Sequence, residues 1–151
     1  MNSDFKDILL CLNQHKVRYL IVGGYAVMKY AEPRYTKDID IWVEPSLNNS
    51  KKVYKALDDY GAPVDNLAAE DFAKAGVIYI MGVPPVRVDI ITRISGVTFA
   101  TAWKNKTFSK LYNEKVPFIG LNELIRSKKA AGRPQDLLDL DNLMMVKRTK
   151  K

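Results

Sequence analysis

The sequence predicts an α/β (α+β) domain: a short mixed β-sheet flanked by helices, with a helical carboxy-terminus. Three observations carry this reading. Apolar strands alternate with amphipathic helices over the first sixty residues. Two further strand-like runs, 77–81 and 86–91, are joined only by Gly82-Val83-Pro84-Pro85, too short for a crossover helix, so they pair as an antiparallel hairpin. From Leu121 onward only helical spacing remains.

Each element follows from its residues. In 4–14, Phe5, Ile8, Leu9 and Leu12 recur at helical spacing, with Asn2 or Ser3 able to cap the start. Residues 17–22 read as a strand ending at Gly23-Gly24, and 25–30 as a short helix opened by that turn. Residues 31–37 form a loop broken by Pro33. A second strand, 39–43, is stopped by Pro45. Residues 48–60 make an amphipathic helix with Val53, Tyr54 and Leu57 inward, closed by Gly61. A shorter helix is expected over 68–75, closed by Gly76. Residues 99–105 suit a helical turn, while 106–111 and 116–119 have ambiguous strand character. Helices over 121–131 and 135–146 are separated by Gly132-Arg133-Pro134. One domain is expected over 1–146, followed by a flexible basic tail, 147–151.

At 151 residues, 47% hydrophobic and 27% charged, the chain can bury a sizeable core. Its apolar runs are too short for a membrane span, and its acidic start does not suit a secretory signal, so a cytoplasmic location is the default. The single cysteine, Cys11, excludes an intramolecular disulfide and a cysteine-based zinc site; between Leu10 and Leu12 it suits burial as a small hydrophobe. Four of the charges behind the net +7 lie in the tail, at Lys147, Arg148, Lys150 and Lys151. That tail is either a solvated end or an electrostatic aid to binding RNA.

The chemistry concentrates in the second strand. Alternation in Asp38-Ile39-Asp40-Ile41-Trp42-Val43 places Asp38, Asp40 and Trp42 on one face and the aliphatic residues on the other. Two carboxylates inside an apolar strand are costly unless compensated, and Mg²⁺ is a natural compensator because it takes hard oxygen ligands. Asp89, in Val86-Arg87-Val88-Asp89-Ile90-Ile91, is a second isolated acid in an apolar strand and the candidate third ligand of a two-metal clamp. The bland alternatives are an Arg87–Asp89 pair, and solvated acids or ion pairs with Arg34 or Lys37 for Asp38 and Asp40. Gly23-Gly24, at a strand end opening a helix, lets backbone N–H groups approach a triphosphate. Alone it is a weak signal, since such a pair is often only a tight turn.

Together, Gly23-Gly24, Asp38-x-Asp40 and the later strand Asp89 resemble the DNA polymerase β-type nucleotidyltransferase superfamily. The closing segment, Leu121 to Asp139, with Lys128 followed by Gly132-Arg133-x-x-Asp136-x-x-Asp139, is similar to the carboxy-terminal signature of the small AbiEii/AbiGii toxin-like group. The resemblance spans roughly Tyr19 to Leu143. It implies that Asp38 and Asp40 hold Mg²⁺, that Asp89 holds a second ion and helps deprotonate an acceptor hydroxyl, and that Gly23 and Gly24 contact the β- and γ-phosphates of an NTP. Lys128 aligns with the family's lysine, and it or Arg133 would neutralise the triphosphate or pyrophosphate; the bland alternative is a solvated helix face, with Arg133 paired to Asp136 or Asp139. The chain departs from many members in having Gly24 where they have serine, which leaves phosphate contacts to the backbone.

Other residues read more plainly. Asp136 and Asp139 suit the acid-favouring first turn of the last helix, Lys129 a solvated face, and His15 a surface position near a helix end. Trp42 or Trp103 could stack on a base, with packing the plainer role. Tyr25, Tyr30 and Tyr35 could line a base or acceptor pocket or fill the core. The resemblance implies Mg²⁺-dependent transfer of an NMP from an NTP to an acceptor hydroxyl. The acceptor would be RNA such as a tRNA end, a protein, or a small hydroxylated drug of the lincosamide or aminoglycoside kind. A cognate antitoxin would accompany a toxin-like enzyme. A catalytically silent nucleotide-binding or antitoxin-like module is the reading from another class; retention of all three acids argues against it.

Overall fold

A computed structural model describes residues 3–31, 38–82 and 87–149, with side chains from Phe5. The described chain forms a six-stranded mixed sheet in the order β3-β4-β2-β1-β6-β5. The strands are β1 (Tyr19–Val22), β2 (Asp38–Val43), β3 (Ile78–Met81), β4 (Arg87–Ile91), β5 (Thr107–Leu111) and β6 (Glu114–Phe118). The helices are α1 (Ser3–Gln14), α2 (Gly23–Tyr30), α3 (Leu47–Tyr60), α4 (Phe99–Lys104), α5 (Leu121–Ala131) and α6 (Pro134–Thr149). None is long and apolar enough to cross a membrane.

The centre of the sheet is β1, β2 and β4, with β2 antiparallel to β1 and parallel to β4. The β3–β4 pair is antiparallel, as the short connection requires. Ile39, Ile41 and Val43 are fully buried on one face of β2. Alternation sends Asp38 and Asp40 to the other face. Helix α3 is capped at both ends as its sequence demands: Ser46 accepts from the Asn49 amide, and Gly61 closes it at φ 96°. Helix α6 starts with Pro134 in its first position, and the Asp136 carboxylate reaches back to the Arg133 amide at 3.1 Å.

Several expectations are corrected. The helix expected over 68–75 is only a 3₁₀ turn, Asp71–Ala73. Side chains take the backbone groups a helix would need: Asp71 accepts from the Ala68 amide, and the buried Ser50 hydroxyl donates to Ala69 and accepts from the Phe72 amide. The ambiguous 106–119 region is a β-hairpin turning at Tyr112-Asn113, both at positive φ (50° and 67°). That is the geometry of a type I′ turn without the usual glycine. Helix α2 starts at Gly23 rather than Tyr25, and α6 runs to Thr149, so Lys147 and Arg148 lie in its last turn. The loop expected over 31–37 lies, after Ala31, outside the described residues, as do Arg34, Lys37 and Tyr35.

Candidate active site

Register brings the acids together. Asp40 pairs with Asp89 across the parallel β2–β4 ladder, and Asp38 pairs with Arg87 in the row before it. Partners in a ladder share a face, so all four polar side chains emerge on one side of the sheet. The Arg87 guanidinium binds Asp89 in bidentate fashion, Nε to Oδ1 at 2.9 Å and an Nη to Oδ2 at 3.2 Å. Its Nε also lies 3.7 Å from Asp38. The bland pairing of Arg87 with Asp89 is therefore present, and it coexists with a shared acidic face.

Asp40 sits deepest in the electrostatic sense. Burial first, then the carboxylates of Asp89 and Asp38, raise its pKa to about 6, although Lys128 and Arg87 pull the other way. Gly23, at φ 68°, lies directly against it: a Cβ built there would run into the Asp40 Oδ2 atom. Glycine is thus required twice, for the backbone conformation and for the approach of the carboxylate. Gly24 is buried inside the first turn of α2.

Lys128, near the end of α5, is almost wholly buried. Its Nζ lies 3.2 Å from Asp136 Oδ1 and 3.1 Å from Asp139 Oδ2. Arg133 holds the other side of Asp136 at 2.6 Å while remaining mostly exposed. Burial pushes the Asp136 carboxyl up, but hydrogen bonds from Arg133 and Lys128 outweigh it and the pKa falls. Asp139 also accepts from Gln135 at 3.0 Å. These two acids occupy the first turns of α6, as expected, and in addition clamp the lysine between helices.

Asp40, Gly23, Lys128, Arg133 and Asp136 line one cavity of about 180 Å³. Its remaining wall comes from Ile91, Arg93, Ile94 and Ser95 after β4 and from Ser127 and its neighbours on α5. Sequence reading missed Arg93, Ser95 and Ser127. The available signal was Gly96, held at φ 75° where a Cβ would come within 2.7 Å of the Ala130 Cβ.

Trp42 is not available for base stacking: it is 1% exposed and packs edge-on against Phe99 at 5.0 Å. Trp103 stacks on Phe99, at 5.7 Å, with Lys106 over its ring at 4.1 Å. Tyr25 bonds Tyr112 and Tyr30 bonds Thr107 and Ile119, which occupies both phenols in packing. His15 pairs with Asp59 at 3.2 Å, away from the acids.

Among the described residues, no three acidic, histidine or cysteine side chains converge as a ready-made metal cage. The donor set nonetheless fits a hard cation. Asp38, Asp40 and Asp89 offer only carboxylate oxygens, and their mutual repulsion at Asp40 is what such an ion would relieve.

A family model for nucleotidyltransferases of unknown function (DUF6036) matches residues 3–150, and the chain belongs to that family. Its fold is similar to two solved structures. One is a protein from Thermotoga maritima described as a candidate nucleotidyltransferase (14% identity, TM-score 0.61, covering 93% of this chain and 89% of that one). The other is the lincosamide antibiotic adenylyltransferase LnuA with lincomycin bound (17% identity, TM-score 0.56, covering 97% and 98%). No curated protein in the comparison is a match. The chain is an enzyme of the nucleotidyltransferase class; the AbiEii/AbiGii placement is finer than the family match.

Proposed function

We propose that this nucleotidyltransferase moves an NMP from a Mg²⁺-bound NTP to an acceptor hydroxyl, with Asp38, Asp40 and Asp89 as its catalytic acids. The single observation behind this is the crowding of three carboxylates on one sheet face, with Asp40 raised to about 6 beside a glycine that only a small backbone could occupy. Mg²⁺ held by these acids would polarise the α-phosphate and lower the pKa of the attacking hydroxyl. The acceptor oxygen forms a bond to the α-phosphorus as the bond to pyrophosphate breaks, and the hydroxyl proton passes to Asp89. Asp89 takes that part only after Arg87 leaves it, so Arg87 must turn toward the substrate phosphates or solvent. Gly23 and Gly24 would present backbone N–H groups to the phosphates. Lys128 would face the same charge from a fixed position, because Asp136 and Asp139 hold it. Arg133, at the cavity edge, would meet the leaving pyrophosphate.

Two acceptor readings divide the enzyme hypothesis. A toxin-like enzyme would modify RNA or a protein and be restrained by a cognate antitoxin; the basic end with Lys147, Arg148, Lys150 and Lys151 favours RNA. A small hydroxylated drug is the second reading, favoured by the near end-to-end similarity to a lincosamide adenylyltransferase. Incubation with α-labelled NTPs and total RNA, protein, lincosamides or aminoglycosides separates them. Label should appear in one acceptor class, require Mg²⁺, and vanish in Asp40→Asn. Absence of transfer to every class would leave a nucleotide-binding module instead of an enzyme of this reaction.

A further inference from the structure

The cavity beside Asp40 has a lining of two chemical kinds. Gly23, Asp40, Lys128 and Arg133 are groups suited to phosphates. Ile91, Ile94, Leu124 and Ala131 supply an apolar lining, with Arg93, Ser95 and Ser127 as its polar members. We propose that this second part is the nucleoside subsite of the donor and that Arg93 anchors the base or ribose there. The inference rests on the nucleotidyl-transfer reading.

Three observations favour it. The first is charge. Lys128 and Arg133 are both neutralised by carboxylates on α6. Among the described residues, Arg93 is the cation lining this cavity that has neither a hydrogen bond nor an ion pair, and the Ser95 and Ser127 hydroxyls are equally uncommitted. An uncommitted guanidinium can donate a fork of hydrogen bonds to base carbonyls or lie over a base ring. The second is position. Arg93 follows Asp89 by four residues and lies just past the end of β4 at Ile91, so the strand carries it beyond the catalytic row. It therefore stands apart from the metal-binding acids while lining the same cavity as Asp40. The third is rigidity. Ile94 and Val97 bridge the turn, and Gly96 presses it onto α5 at Arg126 and Ala130, so this wall is set before any ligand arrives.

The occupant is the donor and not the acceptor. The cavity is lined by Asp40 but by neither Asp38 nor Asp89, and Asp89 is the acid that meets the acceptor hydroxyl. Apolar walls with a few polar anchors suit a nucleoside, whereas a polyphosphate needs only cations and amides.

The test uses the full chain with Mg²⁺ and two probes, each of the four NTPs and inorganic tripolyphosphate, in calorimetric titrations. Arg93→Ala removes the anchor without removing any contact, so its melting temperature should match wild type. Ala131→Leu fills the apolar part. Each should weaken binding of the preferred NTP at least tenfold, as an order of magnitude for lost charge-assisted contacts. Arg93→Ala should also level the ranking among the four bases. Tripolyphosphate binding should stay within about twofold in both. Unchanged NTP affinity and ranking in both variants would overturn the subsite. Parallel loss of tripolyphosphate in Arg93→Ala would overturn it too, making Arg93 a phosphate ligand. Failure of wild type to bind any NTP with Mg²⁺ would instead sink the underlying reading, so the two failures are separable.

Discussion

Two charged regions face each other across the cavity, and they are built on opposite rules. On the sheet, among the described residues, Asp38, Asp40 and Asp89 gather around the Arg87 guanidinium, and Asp40 is left with a raised pKa. Between the helices, Lys128 and Arg133 meet Asp136 and Asp139, each in direct contact with its counter-charge. The first region is electrostatically incomplete at Asp40 and the second is closed. An incomplete cluster stores unfavourable energy that a cation can release; a closed one fixes a side chain in place. The contrast separates the part that does chemistry from the part that holds it in position.

The comparison can be broken most severely at the closed region. Asp139→Ala strips Lys128 of one of its two partners in a buried setting and should cost about 3–5 kcal/mol, read as a lowered urea midpoint. A loss below about 1 kcal/mol, the range of exposed pairs, would mean that the clasp is not a buried network.

The open region should respond with the opposite sign. The Asp40 pKa is raised from 3.8 to about 6 on folding. A carboxyl with a raised folded pKa contributes stability that is present below pH 3.8 and lost as pH rises through 6. Asp40 should therefore add roughly 2 kcal/mol to metal-free wild type on acidification from pH 7.5 to 4, at 1.36 kcal/mol per pKa unit. Asp40→Asn removes that dependence. It should be more stable than wild type at pH 7.5 in chelator, and the advantage should be gone near pH 4. Thermal melts across this range check it.

Gly23→Ala places a side chain against the Asp40 carboxylate at a φ of 68°. It should cost about 1–3 kcal/mol and reduce transfer, with Gly61→Ala in the open as the comparison for backbone strain alone. The smallest effect belongs to Arg87, which occupies Asp89 where a metal would bind. Arg87→Gln should lower the Mg²⁺ concentration needed for half-saturation about tenfold. A rise would show that Arg87 assists the metal instead of competing with it.

How far the sequence reveals this depends on the range of the interactions. The acids on β2 were legible because a period of two is local, and Asp89 because an isolated acid in an apolar strand is conspicuous. The hairpin at Tyr112-Asn113 was not, since two non-glycine residues accept positive φ there. The lost helix over 68–75 depends on Ser50, from a separate helix, claiming its backbone. For Trp42 packing was the plainer reading, and Phe99, from a separate helix, is the partner it packs against. Arg93 stayed hidden because only the packing of Gly96 on α5 turns its strand end into a cavity wall.

The central claim is that the incomplete region is a metal–nucleotide site. Calorimetric titration of Mg²⁺ with each NTP into wild type and into Asp38→Asn/Asp40→Asn tests it most directly. Saturable binding to wild type, abolished in the double variant, is the result predicted here; equal binding to both would contradict it.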